Sequence, residues 1–329
     1  MLSRHFLRSK VLQAIYAAEA NPSESVFVLK RFDSQIDHLN MLGIWQLSIL
    51  PQLASMAQTM LDEGKEKFMP SKEDLNPIYK LPQNRFIRML ADNYDLRSFS
   101  QRYCVNWGDS QNVFRQLFVD LRQTSFYRAY IAESEEGKDE SYCYNADHQF
   151  AIQLFKYVIN YELLRGTIEE RHLLWEDDFD QLAQYNYMML KAIGKDFSEA
   201  TPIPLMFDKR EQKDVEGYEF SKELLLNTLH NRKENDELIR KHLNNWEFER
   251  IALMDVLLLN MAVNEVLYCP SIPERVTVDE YIELSKDFSS EKSKLFINGI
   301  LDRIMIELRM AGRIKKTGRG LYVPTDNEK

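Results

Sequence analysis

A strong helical pattern over the last third of the chain is the feature that most constrains its fold. From Tyr218 onward, apolar side chains recur at helical spacing, which predicts helices at about 218–232, 234–244, 247–267, 277–287 and 290–311. The most apolar stretch, Ile251 to Val263, contains Asp255 and Asn260 and is too short to cross a bilayer. This stretch therefore predicts a helix but no membrane span.

The preceding part of the chain also predicts helices. Residues 3–20 favour an amphipathic helix with Leu7, Val11, Ala14 and Ala18 on one side. One or two helices broken at Pro51 are predicted for 25–69, and further helices for 85–130, 148–165, 167–174 and 177–195. An exposed acidic loop is predicted at 133–147 and a linker at 196–217. Because the chain has only 11 Gly and 10 Pro in 329 residues, we predict an all-α fold.

Three local features of the C-terminal part lead to specific predictions. Thr277 and Glu280 have the spacing of a capping box at the start of a helix. Gly299 lies inside the last helix, where glycine costs about 1 kcal/mol relative to alanine, so we predict close helix packing there. A flexible tail is predicted for residues 312–329, which include the basic run Arg313 to Arg319.

Charge and cysteine content narrow the class of protein. The net charge is −9, and residues 130–200 alone account for it, so a local anion-binding surface elsewhere is compatible with the acidic total. The three cysteines are far apart and lack metal-ligand spacing, which favours reduced thiols in a cytoplasmic protein. Phosphate-binding, dinucleotide-binding, serine-hydrolase and zinc-protease motifs are absent from the sequence. We therefore predict a protein that is not an enzyme, with no cofactor and no metal.

A series of ordered motifs resembles the NusB family of bacterial transcription antitermination factors. The N-terminal element is Gln13-Ala14-Ile15-Tyr16, preceded by an arginine-containing start. The C-terminal elements are, in order, Phe220 with Glu223-Leu224-Leu225, Trp246, Arg250-Ile251-Ala252, Asp255, Leu258, Glu265, Ile272-Pro273, Val276, Glu280, Ile282-Glu283-Leu284, Ser293 and Phe296 to Asp302. The resemblance covers about a third of the chain, and its two parts are separated by a much longer segment than is usual in the family.

The resemblance implies both an architecture and a function. It implies a NusB-like helical bundle formed by residues 1–20 and 218–311, with residues 21–217 as an inserted or rebuilt helical region. It further implies binding of boxA-type single-stranded RNA together with the ribosomal protein NusE, within the RNA polymerase antitermination complex. The RNA-contacting residues that it implies are Arg4, His5, Arg8, Tyr16, Lys292, Lys294 and Phe296. The residues that it implies for contact with NusE are Phe220, Lys222 and Glu223.

Each of these assignments has a structural alternative. Arg4 and Arg8 are compatible with a solvated helix face, Tyr16 with a half-buried core position, and Phe296 with the core of the bundle. A purely structural role also fits the helix opening around Phe220. His5 stands where family members often have arginine, which makes this start of the chain less basic. The alternative function is therefore a protein-interaction scaffold that keeps the NusB fold without binding RNA.

Overall fold

All regular secondary structure in the described part of the chain is helical. The structure is a computed structural model that describes residues 3–21, 24–172, 174–208, 210–243 and 247–321. Its α-helices are α1 (Arg4–Ala20), α2 (Ser25–Lys65), α3 (Lys72–Leu75), α4 (Arg85–Asp92), α5 (Tyr94–Arg102), α6 (Gln111–Leu121), α7 (Ser125–Ala132), α8 (Glu140–Ile159), α9 (Glu162–Glu169), α10 (Trp175–Ala192), α11 (Gln212–His230), α12 (Arg232–Lys241), α13 (Leu253–Tyr268), α14 (Glu274–Phe288) and α15 (Ser293–Met310). Within these ranges, none of the helices is both long and apolar enough to cross a membrane.

The chain forms two compact units. The bundle unit comprises the residues up to Gln35 and those from Asp208 onward, and the insert unit comprises Ile36–Phe207. The predicted bounds of the inserted region, 21–217, therefore differ at both ends from those of the insert unit. Residues 212–217, predicted as linker, already belong to α11.

Helix α13 is the centre of the bundle unit. It packs against α1, α11, α12, α14 and α15, and every residue from Asp255 to Val266 is buried. A helix that is apolar on all sides is stable only when it is surrounded by other helices. The apolar stretch that the sequence shows at Ile251 to Val263 is thus explained by a central position in a helical bundle.

Helix α1 contributes one face to this bundle. Leu7, Val11 and Ala14 are buried as predicted, whereas Ala18 is only partly covered. The side chain of Ser3 caps the helix by accepting a hydrogen bond from the backbone N–H of Phe6 at 3.1 Å. This cap fixes Arg4 as the first residue of α1.

The insert unit departs from the sequence predictions at two places. Helix α2 runs without a break through Pro51, because Ile49, Leu50 and Leu53 are fully buried around the proline and their packing offsets the missing backbone hydrogen bond. The predicted exposed loop at 133–147 ends early, since α8 begins at Glu140. Asp147 is buried at the position predicted to be loop.

Two further predictions, in the bundle unit, are wrong. The predicted capping box does not form, because α14 begins at Glu274 and Thr277 lies inside it. The predicted flexible tail is instead held against the bundle from Arg313 to Leu321. There, the N–H of Thr317 donates to the carbonyl of Pro270 at 3.0 Å and Nζ of Lys316 donates to the carbonyl of Cys269 at 3.2 Å. Residues 322–329 of the tail lie outside the described residues.

Candidate nucleic-acid interface

Arg8, one of the RNA-contacting residues predicted on α1, forms a buried ion pair. Its Nε and Nη2 donate to the two carboxylate oxygens of Glu265, each at 2.7 Å. Its Nη1 lies 3.2 Å from Oε2 of Glu280. Arg8 is 1% exposed and Glu265 is 0% exposed. Burial alone would lower the pKa of Arg8, but the hydrogen bonds and the negative charge of Glu265 outweigh it and raise that pKa above its ordinary value.

Two hydroxyl groups complete the environment of the Glu265 carboxylate. Thr277 donates to Oε1 at 2.9 Å, and Tyr281 donates to Oε2 at 3.1 Å. Burial, with the nearby charge of Glu265, raises the pKa of Tyr281 well above its ordinary value, so the phenol stays a hydrogen-bond donor. The network links α1, α13 and α14. It corrects the prediction that Arg8 contacts RNA, because its guanidinium is enclosed and already bound to carboxylates.

The other predicted residues of α1 remain at the surface. Arg4 is exposed, His5 is partly exposed, and Tyr16 is half-buried, with 46% of its surface exposed. Nδ1 of His5 lies 3.0 Å from Oε2 of Glu280. Arg4 and Tyr16 are separated by about 18 Å along the helix axis at 1.5 Å per residue. The α1 candidates are therefore spread along the helix rather than clustered.

The predicted residues at the start of α15 are separated from α1 by α14, which packs against both helices. Lys292 and Lys294 are exposed, and Phe296 is partly buried. Buried Asp255 on α13 holds the start of α15, because it accepts hydrogen bonds from the hydroxyls of Ser289 at 2.6 Å and Ser293 at 2.9 Å. These bonds fix the direction in which the first turn of α15 presents its lysines.

Helix α14 connects the two sets of candidates. The hydrogen bond from Lys286, together with the electrostatic effects of Lys294 and His5, lowers the pKa of Glu283 below its ordinary value. Asp287 lies 3.9 Å from Nε2 of His5. The sequence interpretation missed these α14 carboxylates as part of the site. They make the surface mixed in charge rather than uniformly basic.

The residues predicted to contact NusE differ in burial. Phe220 is 7% exposed, and the guanidinium carbons of Arg4 and Arg8 each lie 5.3 Å from the centre of its ring. Phe220 is thus covered by α1, which corrects its assignment as a partner contact. Lys222 pairs with Glu219 at 2.7 Å, and Glu223 is exposed. Trp246, one of the residues that carry the family resemblance, lies outside the described residues.

Gly299 does not have the close helix contact that was predicted for it. A Cβ built at this position would meet nothing within 4 Å apart from the glycine's own helix and its chain neighbours. The packing of the bundle therefore does not require glycine here. The position lies one turn beyond Phe296 on the candidate surface.

Replacing Gly299 by alanine is expected to raise the free energy of unfolding by about 1 kcal/mol, because alanine has the higher helix propensity and fits without a clash. Urea unfolding followed by far-UV circular dichroism measures this change. Gly166→Ala in α9 is the matched control, since its added Cβ also meets nothing within 4 Å. A loss of stability in Gly299→Ala alone would contradict the prediction.

These features define a class of protein. It is an all-α helical bundle with a second helical unit placed in sequence between its first and its remaining helices. It carries exposed cations at the starts of α1 and α15. Among the described residues, no group of three or more His, Cys, Asp or Glu side chains is arranged to hold a metal ion.

The chain belongs to the NusB family. The NusB family description matches residues 179–305. Transcription antitermination protein NusB of Salinibacter ruber is 44% identical over 109 residues, which are 33% of this chain and 68% of that protein. The protein of the same name in Myxococcus xanthus is 35% identical over 101 residues, covering 31% of this chain and 72% of that protein. The fold class and the resemblance inferred from the sequence are thereby confirmed.

This chain is larger than the relatives it matches. The segment shared with the Salinibacter ruber protein is a third of this chain but two thirds of that protein, so this chain is about twice as long. For the Chloroherpeton thalassium protein of the same name, the identity is 36% over 117 residues, and the chain spans 56% of that protein's length. A solved structure of T. maritima NusB is 26% identical and covers 47% of this chain and 89% of its own, with a TM-score of 0.27. That score is too low to define a shared arrangement of helices.

Proposed function

We propose that this protein is a transcription antitermination factor that binds boxA-type single-stranded RNA together with the ribosomal protein NusE. The observation that carries the proposal is the similarity to proteins named transcription antitermination protein NusB. The matched range 179–305 includes Lys292, Lys294 and Phe296 at the start of α15. In this role the protein positions RNA and partners near RNA polymerase in the cytoplasm and catalyses no reaction.

The proposed RNA surface consists of the predicted cations that are exposed and can therefore contact RNA. Lys292 and Lys294 are exposed at the start of α15, and Arg4 is exposed on α1. Cations at such positions bind phosphates, whereas unstacked bases bind to planar or aromatic groups such as Tyr16 and Phe296. Arg8 supports this surface from beneath, because its ion pair with Glu265 holds α1 on the bundle. His5 joins the surface through its contact with Glu280.

The contact with NusE is proposed in the middle of α11. Lys222 and Glu223 lie next to each other there, with Glu223 exposed. Buried Phe220 would act by holding α11 against α1 rather than by touching the partner.

A protein-interaction scaffold without RNA binding is the second candidate. The observation that favours it is the position of Glu280, Glu283 and Asp287 among the candidate cations. Carboxylates at these positions repel RNA phosphates. The insert unit, whose residues 130–200 carry the entire net charge of −9, supplies further acidic surface for a protein partner.

Fluorescence anisotropy with a boxA-type RNA, with and without NusE and at two salt concentrations, separates the two candidates. We expect binding that strengthens with NusE and weakens steeply with salt, because each phosphate contact to a single strand contributes a slope of about 0.7 in log K against log salt. Lys294→Gln is expected to weaken binding several-fold, whereas Lys233→Gln on α12, an equal loss of charge, is expected to have little effect. NusE binding without RNA binding would support the scaffold, and binding of neither would overturn both candidates.

A further inference from the structure

The C-terminal segment Arg313–Leu321 is built into the bundle unit next to the start of α1. Nη2 of Arg313 lies 2.8 Å from Oε1 of Glu234, and the backbone of Thr317 is bonded to Pro270. Gly320 is buried, and a Cβ at this position would collide with the carbonyl oxygen of Pro270. Glycine is therefore required for the segment to approach the turn between α13 and α14 this closely.

This docked segment closes one side of a pocket of about 740 Å³. The volume falls within the range of about 300–1,000 Å³ that is typical of small-ligand sites. The charged lining comes from Arg4, Arg8, Glu280 and Arg319, and the apolar lining comes from Ile272, Pro273, Val276 and Leu321. The pocket thus combines guanidinium groups with an apolar wall.

Two of the three arginines have charge available for a ligand. Arg8 is bound to Glu265 and Glu280, and Glu280 is also in contact with His5. Across the ranges that the structure describes, neither Arg4 nor Arg319 has a carboxylate within ion-pair distance, and both are exposed. The excess positive charge of the pocket therefore comes from one residue of α1 and one residue of the C-terminal segment.

We propose that this pocket binds one nucleotide of a single-stranded RNA, with its phosphate between Arg4 and Arg319 and its base against Val276 and Leu321. Guanidinium groups bind phosphate oxygens through two parallel hydrogen bonds, and this geometry favours phosphate over a simple point charge. Unstacked bases of a single strand bind to apolar and planar surfaces beside such a phosphate site. The proposal rests on the RNA binding proposed above. In this proposal, Arg319 supplies a cation that the less basic start of α1 lacks.

The test measures binding of the full chain to the boxA-type RNA at two salt concentrations. Arg319→Gln and Arg4→Gln are each expected to weaken binding about 5–10-fold and to lower the salt slope by about one phosphate contact. Lys315→Gln is the matched control, because Lys315 is an exposed cation of the same segment that does not line the pocket. We expect it to weaken binding less than 2-fold.

Gly320→Ala provides a second variant with unchanged charge. Its Cβ displaces the segment from Pro270, so binding should weaken as in Arg319→Gln. Hydrogen exchange of the Thr317–Leu321 amides should slow in the wild-type chain when RNA is added, and thermal unfolding of each variant confirms that the bundle is folded.

The outcomes separate this proposal from the proposed function. Wild-type RNA binding that Arg319→Gln and Arg4→Gln weaken no more than Lys315→Gln would overturn the pocket but leave the RNA-binding function intact. Absence of RNA binding in the wild-type chain would overturn both. Binding of a hexaglutamate peptide as tight as that of RNA, and lost in Arg319→Gln, would assign the pocket to an acidic protein segment and overturn the nucleotide assignment.

Discussion

Replacing Arg8 by alanine is expected to lower the free energy of unfolding of the bundle unit by about 3–5 kcal/mol. The substitution leaves the carboxylate of Glu265 buried at 0% exposure without its cation. Thr277 and Tyr281 still donate hydrogen bonds to it, but two neutral donors do not replace a guanidinium. Hydrogen exchange of the α13 amides measures the loss directly, because these amides are buried at the centre of the bundle.

Arg4→Ala is the control for this prediction. Arg4 lies one turn earlier on the same helix and is exposed, so its replacement should change stability by no more than about 0.5 kcal/mol. A double-mutant cycle with Glu265→Gln should give a coupling energy above about 1 kcal/mol, as expected for residues in direct contact. Additive effects of the two substitutions would show that the pair contributes nothing beyond its separate side chains.

The same reasoning changes how RNA-binding variants of this protein are interpreted. A loss of RNA binding in Arg8→Ala would report a weakened attachment of α1 to α13, since Arg8 is enclosed. Arg4, Arg319 and Lys294 are the informative positions, because they are exposed and their replacement leaves the buried network intact.

Asp147→Asn is expected to destabilise the insert unit by about 2–3 kcal/mol. The Asp147 carboxylate is buried and accepts hydrogen bonds from the backbone N–H of Arg85 at 2.9 Å, from Nη1 of Arg85 at 2.9 Å and from the hydroxyl of Tyr130 at 2.7 Å. Burial, with the charge of Asp147, raises the pKa of Tyr130 above its ordinary value, so its hydroxyl keeps donating. The side-chain amide of asparagine would place an N–H group where one oxygen of the Asp147 carboxylate accepts these hydrogen bonds.

Urea unfolding followed by tryptophan fluorescence measures the effect, because Trp45 lies against both Trp107 and Trp175 in the insert unit. Glu136→Gln is the matched control, since it removes one carboxylate from the exposed part of the same acidic segment. Its expected effect is within about 0.5 kcal/mol. Equal stabilities of the two variants would mean that the buried network around Asp147 does not support the fold.

Helical periodicity in the sequence was sufficient to predict the fold class and most of the helices. It failed where tertiary packing decides the outcome. Helix α2 continues through Pro51 because its neighbours are buried, and α14 starts a turn earlier than the Thr277 pattern suggests. Local signals of turns and caps are weak compared with the burial of apolar surface around them.

The polar residues within the apolar α13 contained a signal that the sequence interpretation did not use. Asp255 and Glu265 lie in a helix that is buried on all sides, and a buried carboxylate needs partners. The structure supplies these partners from distant positions, with Ser289 and Ser293 binding Asp255 and Arg8 binding Glu265. A charged residue in the most apolar helix therefore predicts buried hydrogen-bonding or ionic partners, although it does not name them.

The sequence by itself determined an all-α protein of the NusB family, because helical periodicity and ordered family motifs are local properties. Only the tertiary structure decided which arginines are available to a ligand. It buries Arg8 against Glu265, leaves Arg4 exposed and brings Arg319 beside it. The physical reason is that a cation's role depends on whether a carboxylate faces it. That contact joins residues hundreds of positions apart, which no local pattern records.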